Sequence, residues 1–237
     1  MLLPVSIAAN LAAVRKRIAS AAKRAGRNPD DVALMAVTKT VSVEQIVEAY
    51  DAGHRLFGEN RVQEFAEKSG ALAELRDAEF HMIGHLQSNK AGKAVEIFHA
   101  VDSVDSAKLA ERLNAAAEKL SRTLDVLVEI NIGGEEAKSG MAPDSPELER
   151  ILAGAAQWRS LRIHGLMTVP PLTEDSEGAR PYFRRLRALR DRLSGRGLPS
   201  VGLGVLSMGM SHDFEVAIEE GSTCVRIGTA IFGERAK

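Results

Sequence analysis

Short apolar runs alternate along this sequence with segments in which apolar residues recur at helical spacing. The first run, residues 32–37, contains six consecutive apolar residues, as a strand buried on both faces requires. Because this alternation continues to the end of the chain without a Gly/Ser-rich linker, it predicts a single (β/α)8 TIM barrel with an extra N-terminal helix. An open doubly wound sheet shows the same alternation and is the alternative. The other predicted strands are residues 55–57, 80–83, 97–101, 126–132, 162–167, 204–207 and 224–227.

The size and charge of the chain narrow the classes of protein that it can belong to. Its 237 residues are typical of one closed α/β barrel, so we predict one domain over residues 1–237. The 31 basic and 32 acidic side chains nearly cancel, which gives no electrostatic reason to expect nucleic acid or an anionic membrane as partner. No apolar stretch reaches membrane-spanning length.

The cysteine content and the N-terminal segment bear on the cellular compartment. Cys224 is the single cysteine, which excludes an internal disulfide and a cysteine-based zinc site and favours a cytoplasmic protein. No acidic residue precedes Asp30, whereas six basic residues do, as in a mitochondrial transit peptide. Ile7, Leu11 and Val14 nevertheless recur at helical spacing, which favours an integral first helix over a transit peptide.

Lys39 is the first candidate for a functional residue. It follows the fully apolar first strand and is flanked by Thr38 and Thr40. Functional groups of β/α barrels lie at the carboxyl ends of the strands. An amine that is buried there loses hydration, its pKa falls, and it can form imines with aldehydes. The alternative is a lysine that only extends into solvent from the barrel mouth.

A second cluster follows the seventh and eighth predicted strands. Ser211 precedes a predicted helix over residues 213–220 and is expected to cap it. Barrels of this kind commonly bind phosphate in these two loops, through hydroxyls and N–H groups at a helix start. Gly209 and Gly228 would let the backbone approach such an anion, although each glycine alone also fits a tight turn.

The two clusters together describe one kind of ligand. An imine-forming amine and a phosphate-binding loop suit a molecule that carries both an aldehyde and a phosphate, and pyridoxal 5'-phosphate (PLP) is such a molecule. A class I aldolase-type barrel, in which Lys39 attacks a sugar phosphate without a cofactor, is an alternative interpretation.

Six motifs, in order along the chain, carry a resemblance to a known family. They are AVTKT at residues 36–40, FGENRVQE at 57–64, HMIGHLQSNK at 81–90, GLMT at 165–168, SMGMSHD at 207–213 and VRIGTAIFG at 225–233. With these motifs the sequence resembles the pyridoxal phosphate homeostasis proteins, short single-domain relatives of the alanine racemase N-terminal barrel. The resemblance extends from about residue 32 to residue 235.

The resemblance implies roles for particular residues. It implies that Lys39 carries PLP as a Schiff base, that Arg226 faces the pyridine nitrogen, and that Asn60 lies near the cofactor ring. The residues that it implies for the phosphate are Ser211, Gly228 and Thr229.

Two further polar residues, His81 and Lys138, are interpreted as parts of the scaffold. His81 lies within a predicted strand, and we interpret it as a hydrogen-bonded core histidine. Lys138 lies in the loop after the fifth strand, and we interpret it as a solvated loop lysine. A secondary site for an aldehyde or an electrostatic contact is the alternative for Lys138.

The implied site favours a carrier over a catalyst. An arginine cannot act as an acid at the ring nitrogen, so it weakens the ring as an electron sink. Related racemases complete their site with a tyrosine from a further domain, whereas residues 228–237 alone follow the last predicted strand, and Tyr50 and Tyr182 fall on predicted helices. A weak PLP-dependent racemase or lyase that uses His81, Ser207 or water as acid/base is the alternative.

The resemblance also implies partners and a cellular role. We expect vitamin B6 and PLP homeostasis, with effects on amino-acid and keto-acid balance and without established catalytic activity. PLP and related B6 vitamers are the expected ligands, apo PLP enzymes are candidate recipients, and a monomer or weak dimer is expected. An HExxH metal motif and a Walker-type loop are absent from the sequence, and no metal is predicted.

Overall fold

The central feature of the fold is a closed parallel sheet. A computed structural model describes residues 6–135 and 138–233. Its eight strands pair in chain order, and β8 pairs in parallel with β1 from Ala33 opposite Cys224 to Ala36 opposite Ile227. This last ladder closes the sheet. The barrel prediction is therefore confirmed, and the open doubly wound sheet is wrong.

Helices connect the strands and cover the outside of the barrel. The strands are β1 (Ala33–Val37), β2 (Leu56–Glu59), β3 (Glu79–Met82), β4 (Ala100–Val104), β5 (Leu124–Glu129), β6 (Leu161–Met167), β7 (Val201–Ser207) and β8 (Cys224–Ile227). The helices are α1 (Ile7–Arg24), α2 (Val43–Asp51), α3 (Val62–Ser69), α4 (Ala91–Ile97), α5 (Ala107–Lys119), α6 (Pro146–Gly154), α7 (Arg180–Ser194), α8 (Phe214–Glu219) and α9 (Thr229–Phe232).

Several predicted strands are displaced along the chain, and β4 shows the physical reason. The apolar residues Ile97 and Phe98 suggested that the strand begins at residue 97, but Ile97 ends α4 instead. Phe98 is buried against Phe65, with 4.7 Å between ring centroids, in an aromatic stack between helices and sheet. A short apolar run cannot distinguish a buried helix end from a strand. The strand itself begins at Ala100 and includes the buried Asp102.

The N-terminal helix is an integral part of the fold. Its apolar face is buried, including Ile7, Leu11 and Val14, as the helical spacing predicted. Asn10 Nδ2 donates a hydrogen bond of 2.8 Å to the Ile231 carbonyl in α9, and Arg24 forms a 2.9 Å ion pair with Glu219 in α8. Helix α1 therefore packs on the elements that follow strands β7 and β8.

The outer helices are amphipathic. On α7 the buried residues are Phe183, Leu186, Leu189 and Leu193, which recur at helical spacing and face the sheet. Arginines such as Arg184 and Arg192 occupy the other face. In the part of the chain that the structure describes, no helix has both the length and the apolarity needed to cross a bilayer.

Truncating the buried face of α1 tests its contribution to stability. Leu11 is 1% exposed, so Leu11→Ala removes packed methyl groups and leaves a cavity. We expect a loss of about 2–5 kcal/mol in the free energy of unfolding, measured by urea denaturation. Leu120→Ala, at a leucine that is 49% exposed, is the matched control and should change stability by less than about 0.5 kcal/mol. Equal effects of the two changes would contradict an integral role for α1.

Candidate functional site

Five of the six predicted site residues line one cavity at the carboxyl ends of the strands. The cavity has a volume of about 660 Å³ and opens between the ends of β1, β7 and β8. A volume of this size suits a small-molecule ligand, for which pockets measure about 300–1,000 Å³. The predicted residues that it brings together are Lys39, Ser211, Arg226, Gly228 and Thr229. Asn60 lines a second cavity at the same end of the barrel.

Lys39 lies in the turn that follows β1. Side chains alternate along an extended segment, so Thr38 points outward to the Glu59 side chain while Val37 and Lys39 line the cavity. The Lys39 side chain is only partly buried, whereas the sequence analysis expected a buried amine. The difference arises because Lys39 lies two residues beyond the last residue of β1, at the open rim of the barrel.

The residue after Lys39 has an unusual backbone conformation. Thr40 has a φ of 61°, in the left-handed region that β-branched residues rarely adopt. For a residue with a Cβ this conformation costs about 1–2 kcal/mol. Strain of this kind persists only where neighbouring contacts hold it, and it is concentrated at functional sites. The Thr40 amide donates a 2.6 Å hydrogen bond to Glu64 Oε1, which is one such contact.

Arg226 is held rigidly at the base of the cavity. The residue is 3% exposed, on β8. Its guanidinium donates hydrogen bonds of 2.7 Å to Ser207 Oγ and 2.7 Å to the Thr168 carbonyl. Burial lowers the pKa of Arg226 below its ordinary value. The planar group keeps further N–H donors that can be directed at a ligand in the cavity.

Ser211 lines the cavity but does not cap the following helix, so the capping prediction is wrong. Helix α8 begins at Phe214, and Asp213 occupies the N-cap position. The Asp213 carboxylate accepts a 2.7 Å hydrogen bond from the Met210 amide within the turn. Burial raises the pKa of Asp213. The turn is therefore organised by Asp213, and Ser211 is part of the cavity wall.

The packing of the turn requires a glycine at position 209. Its φ is 98°, and a Cβ at this position would lie 2.5 Å from the Ala217 Cβ on α8. Gly228 and Thr229, in contrast, line the cavity at the start of the short helix α9. The first N–H groups of a helix lack partners within the helix, so they can bind an anion.

The second cavity contains an acid that the sequence analysis missed. This cavity, of about 590 Å³, is lined by Asn60, His85, Glu129 and Lys138, among others. Glu129 is 3% exposed and accepts a 2.8 Å hydrogen bond from Ser139 Oγ on its Oε1 atom. Among the described residues, its Oε2 atom has no hydrogen-bond partner, and burial raises the pKa of the carboxyl. A carboxylate that directly follows the apolar residues 126–128, at the end of the strand, was the available signal.

His81 and Lys138 are both held by protein partners. His81 Nδ1 lies 3.1 Å from Asp102 Oδ1, which confirms a hydrogen-bonded histidine in the barrel. Burial acts to lower the pKa of His81, but the Asp102 carboxylate raises it above its ordinary value. His81 lines a different cavity from Lys39, together with residues at the amino ends of the strands. Lys138 Nζ donates a 3.1 Å hydrogen bond to the Pro170 carbonyl and pairs with Glu135 at 2.5 Å.

The fold and the position of the site define the class of this protein. The chain matches the family model described as alanine racemase, N-terminal domain, over residues 9–236. It is thus a β/α barrel of the alanine racemase N-terminal type.

Comparison with individual proteins defines the family more narrowly. The chain is 47% identical over 225 residues to the pyridoxal phosphate homeostasis protein of Aquifex aeolicus (strain VF5), covering 95% of this chain and 96% of the relative. It is 43% identical over 231 residues to the protein of that name from Escherichia coli (strain K12), covering 97% of each. PipY of Synechococcus elongatus PCC7942, solved with PLP bound, superposes with a TM-score of 0.83 at 38% identity, covering 96% of this chain and 100% of PipY. The chain belongs to the pyridoxal phosphate homeostasis protein family.

Glu129→Gln tests the ionisation of the buried acid. A carboxyl with a raised folded-state pKa binds its proton more tightly in the folded chain. Its contribution to stability is present below the unfolded-state pKa, near 4.5, and is lost as the pH rises through the folded-state pKa. Glutamine does not ionise, so the variant should gain stability over the wild type as the pH increases above about 4.5, measured by urea unfolding. A gain independent of pH, or an equal gain in the exposed Glu111→Gln control, would contradict this assignment.

Proposed function

We propose that this chain binds PLP as a Schiff base on Lys39 and acts in intracellular vitamin B6 and PLP homeostasis, with effects on amino-acid and keto-acid balance. The main support for the proposal is that one cavity is lined by Lys39, by the buried Arg226 and by residues suited to bind an anion. Membership of the family and the PLP-bound structure of PipY support it.

The donor set of the cavity fits the three functional parts of PLP. The Lys39 amine suits the aldehyde. The Ser211 and Thr229 hydroxyls and the N–H groups of Gly228 and Thr229 suit the phosphate, because charged acceptors form the strongest bonds to such donors. Arg226 suits the pyridine nitrogen, which accepts a hydrogen bond from a guanidinium.

Arg226 bears on what the bound cofactor can do. PLP supplies an aldehyde that condenses reversibly with amines and a ring that can withdraw electrons from the bonded group. Arg226 is fixed in orientation by its hydrogen bonds to Ser207 and Thr168. Because a guanidinium keeps its proton, its remaining N–H groups can donate to the ring nitrogen without transferring a proton to it. This arrangement favours holding the cofactor over strong electron withdrawal.

The positions of other polar groups favour a carrier over a racemase or lyase. Tyr50 is on the outer helix α2, where its hydroxyl donates to Asp77, and Tyr182 is on α7. His81 is paired with Asp102 at the other end of the barrel interior, and Ser207 accepts a hydrogen bond from Arg226. His81 and Ser207, the side chains considered as acid/base groups for an enzyme, thus have other partners.

The remaining parts of the proposal concern Asn60, partners and location. Asn60 follows β2 and lines the second cavity rather than the one that contains Lys39. Its place near the cofactor ring therefore rests on the family resemblance alone. We expect residues 1–237 to act as one PLP-binding domain in the cytoplasm, as a monomer or weak dimer. Its ligands would include related B6 vitamers, and apo PLP enzymes would be its recipients.

Attachment to Lys39 can be tested directly. After incubation with PLP and reduction with borohydride, we expect peptide mass spectrometry to find the added mass on the peptide that contains Lys39. Lys39→Ala should lose both this mass and the visible absorption of the bound cofactor, because the amine is removed. Lys93→Ala, at an exposed lysine of α4, is the control and should retain both. Attachment at another lysine of the wild type would refute the proposal, and retention of a sugar phosphate in place of PLP would favour an aldolase.

The phosphate assignment predicts a selective loss of affinity. Ser211→Ala and Thr229→Val each remove a hydroxyl donor, and hydrogen bonds to charged groups contribute about 1.5–3 kcal/mol. We therefore expect each variant to bind PLP about 10-fold or more weakly, with little change for pyridoxal, which lacks the phosphate. Fluorescence titration measures both affinities. Ser20→Ala, at an exposed serine of α1, should bind both like the wild type, and equal losses for PLP and pyridoxal would contradict the assignment.

A further inference from the structure

A partly buried ion-pair network lies directly behind the turn that carries Lys39. Its centre is Lys68 on α3, whose side chain is 13% exposed. Lys68 Nζ donates hydrogen bonds to Glu59 Oε1 at 3.1 Å, to Glu64 Oε1 at 2.9 Å and to the Thr38 carbonyl at 3.1 Å. One ammonium group therefore joins two carboxylates to the backbone of the residue that precedes Lys39.

The two carboxylates hold the residues on either side of Lys39. Thr38 Oγ1 donates a 2.7 Å hydrogen bond to Glu59 Oε1, and the Thr40 amide donates a 2.6 Å hydrogen bond to Glu64 Oε1. Because Lys68 bonds the same two carboxylate oxygens, a displacement of either carboxylate alters the contacts of the other. Lys39 is thus placed between two anchored neighbours while its own side chain lines the cavity.

The conformation of the turn depends on these contacts. Thr40 has its φ at 61°, which its side chain disfavours, and the bond to Glu64 acts on this residue directly. Thr38 is fully buried, and its amide and hydroxyl are both bonded to β2, at the Gly58 carbonyl and at Glu59. Loss of the ammonium would remove the hydrogen bonds that join Glu59 and Glu64 to the Thr38 carbonyl, so the turn would lose contacts that hold its conformation.

We infer that Lys68, together with Glu59 and Glu64, is a positioning network that fixes the Lys39 turn so that the amine is directed at the aldehyde of the ligand. The inference rests on the proposed function, in which Lys39 is the residue that bonds PLP. Lys68, Glu59 and Glu64 are positioning residues that make no contact with the ligand. These residues act through the backbone of Thr38 and Thr40.

The first test compares covalent capture with noncovalent binding in Lys68→Met. A misplacement of a reacting group by about 1 Å can slow a reaction about 100-fold. We expect the rate of covalent PLP capture, followed by stopped-flow absorbance, to fall about 10- to 100-fold. Affinity for pyridoxine 5'-phosphate, which has the phosphate but no aldehyde, should stay within about twofold of the wild type, since the phosphate groups are untouched. Lys93→Met, which breaks the exposed pair with Glu96, is the matched control and should change neither quantity.

A second pair of variants separates positioning from folding. Glu64→Gln keeps an oxygen that can accept from the Thr40 amide, whereas Glu64→Ala removes it. In the ligand-free chain, we expect hydrogen exchange at the Thr40 amide to be faster in Glu64→Ala and in Lys68→Met than in Glu64→Gln. The rate of PLP capture should likewise be lower in Glu64→Ala and in Lys68→Met than in Glu64→Gln.

The outcomes distinguish this inference from the proposed function. Wild-type capture rates and wild-type Thr40 exchange in Lys68→Met and Glu64→Ala would overturn the inference and leave PLP binding by Lys39 intact. An equal loss of pyridoxine 5'-phosphate binding, or equal effects of Glu64→Gln and Glu64→Ala, would also overturn it, because the network would then serve only stability. If the wild type attaches no PLP to Lys39, the proposed function fails, whatever the Thr40 exchange shows.

Discussion

The hydrogen-bonded ladder between β8 and β1 is the interaction on which the candidate site depends. It places Met35 opposite Arg226 and Ala36 opposite Ile227. The turn after β1 and the turn after β8 therefore open at the same edge of the barrel, where Lys39 meets Gly228 and Thr229. A shift of one residue in this register would exchange inward and outward side chains, and Arg226 would leave the cavity. The closure of the sheet and the chemistry of the site thus depend on the same backbone contacts.

Local pattern predicted the alternation of eight strands with helices and the position of Lys39 at a strand end, whereas the grouping of Arg226, Ser211, Gly228 and Thr229 with Lys39 around one ligand was implied by the family resemblance. It was insufficient where the structure depends on contacts distant in sequence. The bounds of β4 changed because Phe98 packs on Phe65, and Ser211 lost its predicted capping role because Asp213 lies nearer to the start of α8. The roles of Glu59 and Glu129 depend on which partner each acid meets in the folded chain. The periodicity of apolar residues in the sequence does not predict which residues these partners are.

Burial of the ionisable groups near the carboxyl ends of the strands lowers the stability of the folded chain. A barrel interior is most easily filled by branched apolar side chains. Here Arg226 and Glu129 are each 3% exposed, and Glu59, which lies between the sheet and α3, is fully buried. In the ranges 6–135 and 138–233, one oxygen of each of the two glutamates has no hydrogen-bond partner. Burial raises the pKa of both carboxyls. Their concentration at the end of the barrel that carries Lys39 is expected of a region organised around a polar ligand, since stability alone does not favour it.

The packing of α1 has a consequence for the order of events during synthesis. Asn10 bonds to the Ile231 carbonyl, a partner 221 positions away in the chain, and β1 gains its second neighbour only when β8 is present. A nascent chain on the ribosome carries Lys39 early but cannot assemble its binding cavity until the residues of β8 and α9 have emerged. Incomplete polypeptides would therefore expose this lysine without the residues that are proposed to recognise a phosphate. The proposed uptake of a reactive aldehyde would thus require the finished chain.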